Sequence, residues 1–304
     1  MLVLETKNLC KKYKEQLVVN HVNMHIEEGD IYGFVGENGA GKTTIIRLVS
    51  GLIKPTDGSY SIYGVDFKNK NIYSSRKKVS GIVEAVSINR GMNALDNLKL
   101  QCYVTHTKKT DQELIELLND VGLDYNSLKK KRAGQYSLGM RQRLGLAISM
   151  VSNPSFILLD EPMNGLDPKG FIDLREAILK LNKKGVTFLI SSHILAELDK
   201  ICNRIGFISH GVLLDELTID ELHHKARRKI FVECSDVEKI KKTLVEEFKL
   251  KETAIEVNKL FIYDEIDFNK LLSYLVKKKI TVSNVGVIQD TIEDYYMSLM
   301  KKAI

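Results

Sequence analysis

The segment Ile31–Thr44, IYGFVGENGAGKTT, constrains the fold more than any other part of this sequence. Its first five residues predict a strand buried on both faces, and its last residues begin a run that is typical of a helix. Between them, Gly36–Thr43 fits the pattern G-x-x-x-x-G-K-[ST]. Such a loop between a strand and a helix predicts an α/β fold with a binding site for phosphate groups.

The residue types in this loop suit phosphate chemistry. Glycines let backbone N–H groups approach phosphate oxygens, and the start of a helix adds free donors and a partial positive charge. Lys42 would contact the β- and γ-phosphates of a nucleotide, and Thr43 would offer its hydroxyl to Mg²⁺. A glycine-rich turn without a ligand is the alternative. The candidate phosphate-binding residues are Gly36, Glu37, Asn38, Gly39, Ala40, Gly41, Lys42, Thr43 and Thr44.

A second apolar run, FILLD, ends in two adjacent carboxylates, Asp160 and Glu161. A buried carboxylate is costly unless it is paired or faces a cation. We therefore expect Asp160 to bind Mg²⁺ beside Thr43, directly or through water. Glu161 would point in a different direction and would act as the base for the water that attacks the γ-phosphate. The alternative is an ordinary strand end with two solvated acids.

Strand and helix patterns alternate through the middle of the chain, which predicts a parallel sheet with helices packed on it. Residues 1–35 alternate as antiparallel strands do, and residues from about 85 to 150 are mainly helical. After residue 225 the pattern is β-α-β-β-α-β, the ferredoxin-like order. We expect a nucleotide-binding domain over residues 1–222 and a small α+β domain over residues 223–304.

The composition is that of a globular protein, with 304 residues, 44% hydrophobic and 28% charged. No apolar run approaches the ~18 residues that a membrane helix needs, and charged residues interrupt the start of the chain too early for a signal peptide. The four cysteines lie far apart in the sequence. Their spacing argues against a zinc site or a disulfide framework and indicates a reducing cytoplasm.

The net charge of +6 is partly concentrated in short basic clusters at Lys129–Arg132, Lys277–Lys279 and Lys301–Lys302. Solvated surfaces are the simplest interpretation of such clusters. Attraction to an anionic membrane or to nucleic acid is the alternative. Because the sequence has no zinc-finger spacing and no RNP-type aromatic motif, a nucleic-acid partner is not expected.

The order of five motifs over residues 1 to about 220 resembles the ATP-binding-cassette (ABC) ATPases. YSLGMRQR, Tyr136–Arg143, lies where that family carries its signature LSGGQ, and FILLDEPMNGLD continues into the family's D-loop at Asn164–Asp167. His193 occupies the place of the switch histidine, and Tyr13 that of the aromatic residue that stacks on adenine. The resemblance implies a P-loop NTPase cassette with a RecA-like parallel core, an antiparallel β subdomain and a helical subdomain. It also implies an ATPase that uses ATP and Mg²⁺.

The resemblance further implies a dimer with a second copy of this chain or a similar cassette. Ser137 and Gly139 of one copy would bind the γ-phosphate held by the other copy, and Asp167 would act at the interface between them. The simpler alternatives are core positions for His193 and Tyr13 and a plain turn at Asp167.

Two departures from the family pattern matter. Leu138 replaces the first glycine of the signature, and Met140 replaces its final glutamine. Glu84 lies near the place of a glutamine that contacts Mg²⁺ and the attacking water. A carboxylate can also bind Mg²⁺, but it adds negative charge near the γ-phosphate, so Glu84 is either a magnesium ligand or an ordinary acidic loop residue. Both departures resemble the ATPases of bacitracin- and lantibiotic-type exporters, which protect bacteria from cell-wall-directed peptides.

A membrane-spanning permease is the partner that the resemblance implies, and the cytoplasmic face of the cell membrane is the implied location. The family docks its permease on the loop that corresponds to Glu84–Asn97, where Ile88, Met92 and Leu95 would line a groove or belong to the core. A soluble cassette ATPase that acts on ribosomes or nucleic acid is the rival class. A non-hydrolytic binding and dimerisation module is a third, against which the presence of Glu161 and His193 argues.

Overall fold

The computed structural model describes residues 1–225, 228–289 and 291–303. Contacts between residues divide the chain into two compact units, Met1–Ile219 and Asp220–Lys302. All of the candidate site residues belong to the first unit.

An antiparallel sheet begins the first unit. Its order is β2-β1-β5-β6, and β3 also pairs with β1. Alternation of apolar and polar residues in β1 and β2 buries one face, which packs on the core shared with the central sheet. The strands are β1 (Leu2–Tyr13), β2 (Gln16–Val22), β3 (His25–Glu27), β5 (Asp57–Ile62) and β6 (Val65–Asp66).

The central sheet has six strands in the order β11-β10-β4-β9-β8-β7. All neighbouring pairs are parallel except β10 and β11, which form a hairpin. The carboxyl ends of the parallel strands therefore meet at one edge, where ligands bind in open α/β sheets. The strands are β4 (Ile31–Val35), β7 (Val79–Ile82), β8 (Phe156–Asp160), β9 (Thr187–Ser192), β10 (Arg204–Ser209) and β11 (Val212–Thr218).

Helices surround this sheet, and four of them form the helical subdomain between β7 and β8. Polar caps define where these helices begin: Asn93 accepts from the Asp96 amide before α3, and Thr110 forms a capping box with Glu113 before α4. The helical subdomain contains α3 (Ala94–Thr105), α4 (Asp111–Asp120), α5 (Tyr125–Leu128), a 3₁₀ turn (Ala133–Gln135) and α6 (Leu138–Ser149). The remaining helices of the first unit are α1 (Lys42–Val49), α2 (Ile72–Arg76), α7 (Pro168–Lys183) and α8 (Leu195–Leu198), and α9 (Ile219–Lys225) follows at the division.

A polar contact between His25 and Glu216 joins the two sheets. The Tyr32 hydroxyl of β4 donates to Glu216 Oε1 of β11 at 2.8 Å, and His25 Nδ1 of β3 lies 2.9 Å from Glu216 Oε2. Burial is the main cause that raises the pKa of Tyr32 well above its usual value, and the nearby Glu216 carboxylate raises it further. A Cβ at position 206 would lie 2.1 Å from the Tyr32 hydroxyl, so only glycine fits in the neighbouring strand. The Tyr32 hydrogen bond thus holds Glu216 within the central sheet, and the His25 contact links that residue to the antiparallel sheet.

The second unit has the sheet order β13-β14-β12-β15, and every neighbouring pair is antiparallel. With two helices connecting the strands, this is the predicted ferredoxin-like arrangement. Its core is formed by the apolar faces of the strands and helices. The elements are β12 (Arg228–Glu233), α10 (Val237–Phe248), β13 (Thr253–Glu256), β14 (Lys259–Ile262), α11 (Phe268–Lys277), β15 (Asn284–Gln289) and α12 (Ile292–Ala303).

The parallel core, the antiparallel sheet, the helical region and the ferredoxin-like unit predicted from the sequence are thus confirmed. Within the three described ranges, none of the helices is both long enough and apolar enough to cross a bilayer.

Candidate functional site

The glycine-rich loop lies directly after β4, whose five residues are all buried. Gly39 and Gly41 have φ angles of 87° and 107°, in the left-handed region that favours glycine. At position 36 a Cβ would lie 2.4 Å from the Ile208 carbonyl oxygen. The loop therefore needs glycine at each of these positions in order to turn from the strand into α1.

The loop forms the wall of an open cavity of about 200 Å³ at the start of α1. Two residues of the loop are not part of the lining: Ala40 is buried, and Gly36 lies against Ile208 at the start of the loop. The sequence prediction thus identified most of the lining, but not Val18, which β2 contributes. The lining residues are Val18, Glu37, Asn38, Gly39, Gly41, Lys42, Thr43, Thr44 and Glu161.

Lys42 lies at the floor of this cavity with only 5% of its surface exposed. Its Nζ donates to the carbonyl oxygens of Gly36 and Glu37 at 2.5 and 3.1 Å. The same Nζ lies 3.1 Å from Glu161 Oε1, as an ion pair without hydrogen-bond geometry. A buried cation among loop carbonyls and a single carboxylate is well placed to contact a phosphate.

Asp160 connects three segments at the carboxyl edge of the sheet. Thr43 Oγ1 donates to its Oδ2 at 2.8 Å, and Ser191 Oγ of β9 donates to its Oδ1 at 2.6 Å. Asp160 is 6% exposed and Ser191 is fully buried. Hydroxyl and carboxylate oxygens are the ligands that Mg²⁺ prefers, so Thr43 and Asp160 fit a magnesium site that phosphate and water would complete. In the described ranges, no group of three or more histidine, cysteine or acidic residues is placed to hold a metal ion.

Glu161 follows Asp160 with a φ angle of 48°, which turns its side chain away from the strand direction. Its amide donates to Ser191 Oγ at 2.9 Å, and its Oε2 lies 2.9 Å from His193 Nδ1. Glu161 is thus held between Lys42 and His193, which contact its two carboxylate oxygens. The structure brings together both predicted catalytic residues, although their roles in the reaction stay predictions.

The phosphate loop is braced by a turn that the sequence did not point to. The Gly211 amide in the β10–β11 turn donates to the Ala40 carbonyl at 3.0 Å, and the Gly211 carbonyl accepts from the Asn20 amide at 2.8 Å. A Cβ on Gly211 would lie 2.4 Å from the Val18 carbonyl oxygen, and a Cβ on Gly41 would lie 2.8 Å from the same atom. Three separate segments therefore meet at backbone distance behind the loop.

The residues predicted to act across a dimer lie elsewhere and do not line this cavity. Ser137 is the exposed N-cap of α6, where its Oγ accepts from the Met140 amide at 3.2 Å. Gly139 is buried, and a Cβ there would lie 3.2 Å from Gly170 Cα, so glycine lets α6 and α7 pack closely. Asp167 caps α7 by accepting from the Gly170 amide at 3.0 Å. Their phosphate contacts stay predictions.

Tyr13 ends β1 with 42% of its surface exposed and does not line the cavity. The Nζ of Lys11 lies 5.1 Å from the centre of its ring. An exposed aromatic face suits an adenine base, and this role also stays a prediction.

Glu84 lies two residues beyond the end of β7, with a φ angle of 65°. Its carboxylate forms an ion pair with Arg47 of α1, not a contact with Thr43 or Asp160. The magnesium role predicted for Glu84 remains untested by this pairing.

Besides Val18, three contributors to the site were missed by the sequence analysis: Ser191, Gly211 and Arg47. Ser191 had a weak signal, because two serines end the buried strand VTFLISS, where apolar residues would otherwise continue. Gly211 follows a strand pattern as a common turn residue, and Arg47 has the place of an ordinary helical cation.

A phosphate-binding loop that opens a helix at the carboxyl edge of a parallel sheet, beside a hydroxyl–carboxylate pair, defines a P-loop nucleoside triphosphatase. A family model described as ABC transporter matches residues 19–164. The bacitracin transport ATP-binding protein BcrA of Bacillus licheniformis is 36% identical in an alignment 304 residues long. The alignment covers 98% of this chain and 97% of that protein. The lantibiotic transport ATP-binding protein SrtF of Streptococcus pyogenes is 38% identical over 218 residues, 72% of this chain and 92% of that protein.

Among solved structures, one described as the ATP-binding subunit of an ABC transporter superposes with a TM-score of 0.63 and 26% identity. That match covers 73% of this chain and 92% of the other. The chain therefore belongs to the ATP-binding subunits of the ABC transporter family and is an ATPase of that family. The family resemblance and the ATPase class predicted from the sequence are confirmed.

Replacing Gly211 by alanine tests the brace behind the phosphate loop. The added Cβ collides with the Val18 carbonyl, so the loop must shift, and we expect ATP to bind roughly tenfold more weakly. The readout is the dissociation constant of a fluorescent ATP analogue.

Gly185→Ala is the matched control, because Gly185 has a φ angle of 93° but open space around its Cα. Both variants carry a backbone cost of ~1–2 kcal/mol, which denaturant unfolding measures separately. Equal loss of nucleotide binding in the two variants would contradict the bracing role.

Proposed function

We propose that this chain is the ATP-hydrolysing subunit of an exporter that removes peptide antibiotics or confers immunity to them. A separate membrane-spanning permease would form the transport path, and this chain would work at the cytoplasmic face of the membrane. The single observation that supports this most is the match to the bacitracin transport ATP-binding protein, which extends over 98% of the chain and so includes the ferredoxin-like unit. The lantibiotic relative matches 72% of the chain, which favours the bacitracin type.

Within the site, the loop amides and Lys42 would bind the phosphates of ATP. Thr43 and Asp160 would hold Mg²⁺, which neutralises phosphate charge when it is bound. Glu161 would accept a proton from the attacking water, since it lines the cavity and its Oε2 contacts His193. His193 would orient that carboxylate and contact the γ-phosphate.

A second copy of this chain, or a similar cassette, would complete each site. Ser137 stands exposed at the first turn of α6, where free amides and the helix dipole favour an anion. A γ-phosphate held by the loop of one copy would bind there on the other copy. ATP would thus favour a closed dimer, and hydrolysis would release it.

The permease would dock on the helical subdomain. Of the three residues proposed to line a groove, Leu95 is 6% exposed and belongs to the interior, while Ile88 and Met92 are half-buried. Farther along α3, Leu100, Tyr103 and Val104 are exposed and recur at helical spacing. An exposed apolar stripe of this kind is typical of a protein contact surface.

Glu161→Gln should retain ATP binding but lower the hydrolysis rate by about 10²–10⁴-fold, because an amide cannot accept the proton from water. Single-turnover ATPase kinetics and size-exclusion chromatography with ATP measure the rate and the trapped dimer. Lys42→Ala is the control that should lose binding itself. Hydrolysis at the wild-type rate would exclude Glu161 as the base.

Ser137→Arg should prevent ATP-dependent dimerisation, because a bulky side chain replaces a small hydroxyl at the start of α6. Nucleotide binding by the loop of the same copy should stay within about twofold, since Ser137 does not line that cavity. The dimer is measured by sedimentation with ATP, with Ser137→Arg introduced into the Glu161→Gln variant. Ser127→Arg, an exposed serine in α5, is the matched control, and a dimer of undiminished strength in Ser137→Arg would argue against the signature role.

Cells that lack this chain should become more susceptible to bacitracin-type peptides than to unrelated cell-wall inhibitors. The minimum inhibitory concentrations of a peptide panel provide the measurement. Wild-type protein should restore resistance, and Glu161→Gln should not, although it accumulates to the same level. Unchanged susceptibility across the panel would reject the proposed cargo class and leave the ATPase assignment intact.

A further inference from the structure

Glu84 and Arg47 form an ion pair that has no role in the proposed reaction. Arg47 lies four residues after Thr43 on α1, which is about one helical turn. Its guanidinium Nη2 forms the ion pair with Glu84 Oε1. The pair therefore links the loop that follows β7 to the helix that carries the magnesium ligand.

Sheet topology explains why this loop comes so near the site. β7 runs parallel to β8, with Ile82 opposite Leu159, so both strands end at the same edge. Glu84 thus follows β7, the strand next to the one that ends in Asp160 and Glu161. Neighbouring strands in a sheet are ~4.8 Å apart. Three carboxylates end or follow strands at this edge; Lys42 pairs with that of Glu161, and Arg47 pairs with that of Glu84.

A glutamate at this edge raises an electrostatic problem. The terminal phosphate of ATP carries negative charge, and a carboxylate one strand away repels it through protein of intermediate dielectric constant. Glu84 is 57% exposed at its side chain, which weakens the repulsion without removing it. A neutral glutamine at this place would not create the problem.

We propose that Arg47 is the positioning residue for Glu84, an inference that rests on the proposed ATP·Mg²⁺ site. The guanidinium neutralises the carboxylate and holds it beside α1. The glutamate is therefore tolerated at an edge where its charge would otherwise oppose the nucleotide. Arg47 and Glu84 act as one unit, so the effect of losing Arg47 depends on the charge at position 84.

A double-mutant cycle tests this dependence directly. The proteins are wild type, Arg47→Met, Glu84→Gln and the double variant. Methionine keeps the length of the aliphatic stem but removes the charge. The readouts are the dissociation constant of a fluorescent ATP analogue, measured with Mg²⁺ and with EDTA, and the melting temperature without nucleotide, neither of which requires turnover.

Arg47→Met should weaken binding of the Mg²⁺-bound analogue roughly fivefold, because it leaves the Glu84 charge uncompensated. In the Glu84→Gln background, the same substitution should change binding by less than twofold. The coupling between the two sites should shrink between 50 and 500 mM salt, as roughly expected from screening of an exposed pair. Lys54→Met, which removes an exposed cation beyond the end of α1, is the control and should bind as wild type does.

Equal effects of Arg47→Met in the two backgrounds would overturn the proposal, because Arg47 would then act independently of Glu84. A lower melting temperature with unchanged nucleotide binding would also overturn it, since the pair would then be only structural. A separate result would show that the proposed nucleotide site itself is wrong: in that case Lys42→Ala would bind the analogue as tightly as wild type does. If Lys42→Ala loses binding while the cycle shows no coupling, only the role of Arg47 is rejected.

Discussion

One buried carboxylate organises the nucleotide site. Asp160 ends a fully buried strand and accepts hydrogen bonds from Thr43 of α1 and Ser191 of β9. A carboxylate in this place is stable only because both of its oxygens are satisfied. The same contacts set the position of the phosphate loop against the sheet edge and hold the amide of Glu161 in its turn.

Local patterns in the sequence were sufficient for the parts of the site that are continuous in the chain. Gly36–Thr43 and Phe156–Glu161 carry their chemistry within a few residues, and each has an apolar run that predicts its strand. Ser191, Gly211 and Arg47 act through partners that lie about 30 to 190 residues away, and propensity and periodicity do not identify such partners. For the same reason, the sequence did not predict the ion pair between Glu84 and Arg47.

The altered signature segment shows that one residue can have two physical reasons to be present. Ser137 caps α6 in the isolated chain, and Gly139 allows α6 to approach α7 at Gly170. Both features are needed for the fold before any phosphate is considered. The two altered residues of the signature, Leu138 and Met140, fall on positions where the structure makes neither demand. The segment thus keeps the residues that shape the start of the helix and varies those around them.

The turn at His210–Gly211 has a mechanical consequence. It contacts the phosphate loop through Ala40 and the antiparallel sheet through Asn20, with no room for a side chain between them. Because these contacts are made by backbone atoms, we expect a tilt of either sheet to displace the loop as well. We then expect bending to occur at the helical subdomain, whose connections to the sheet run through the Glu84 loop and the segment before β8.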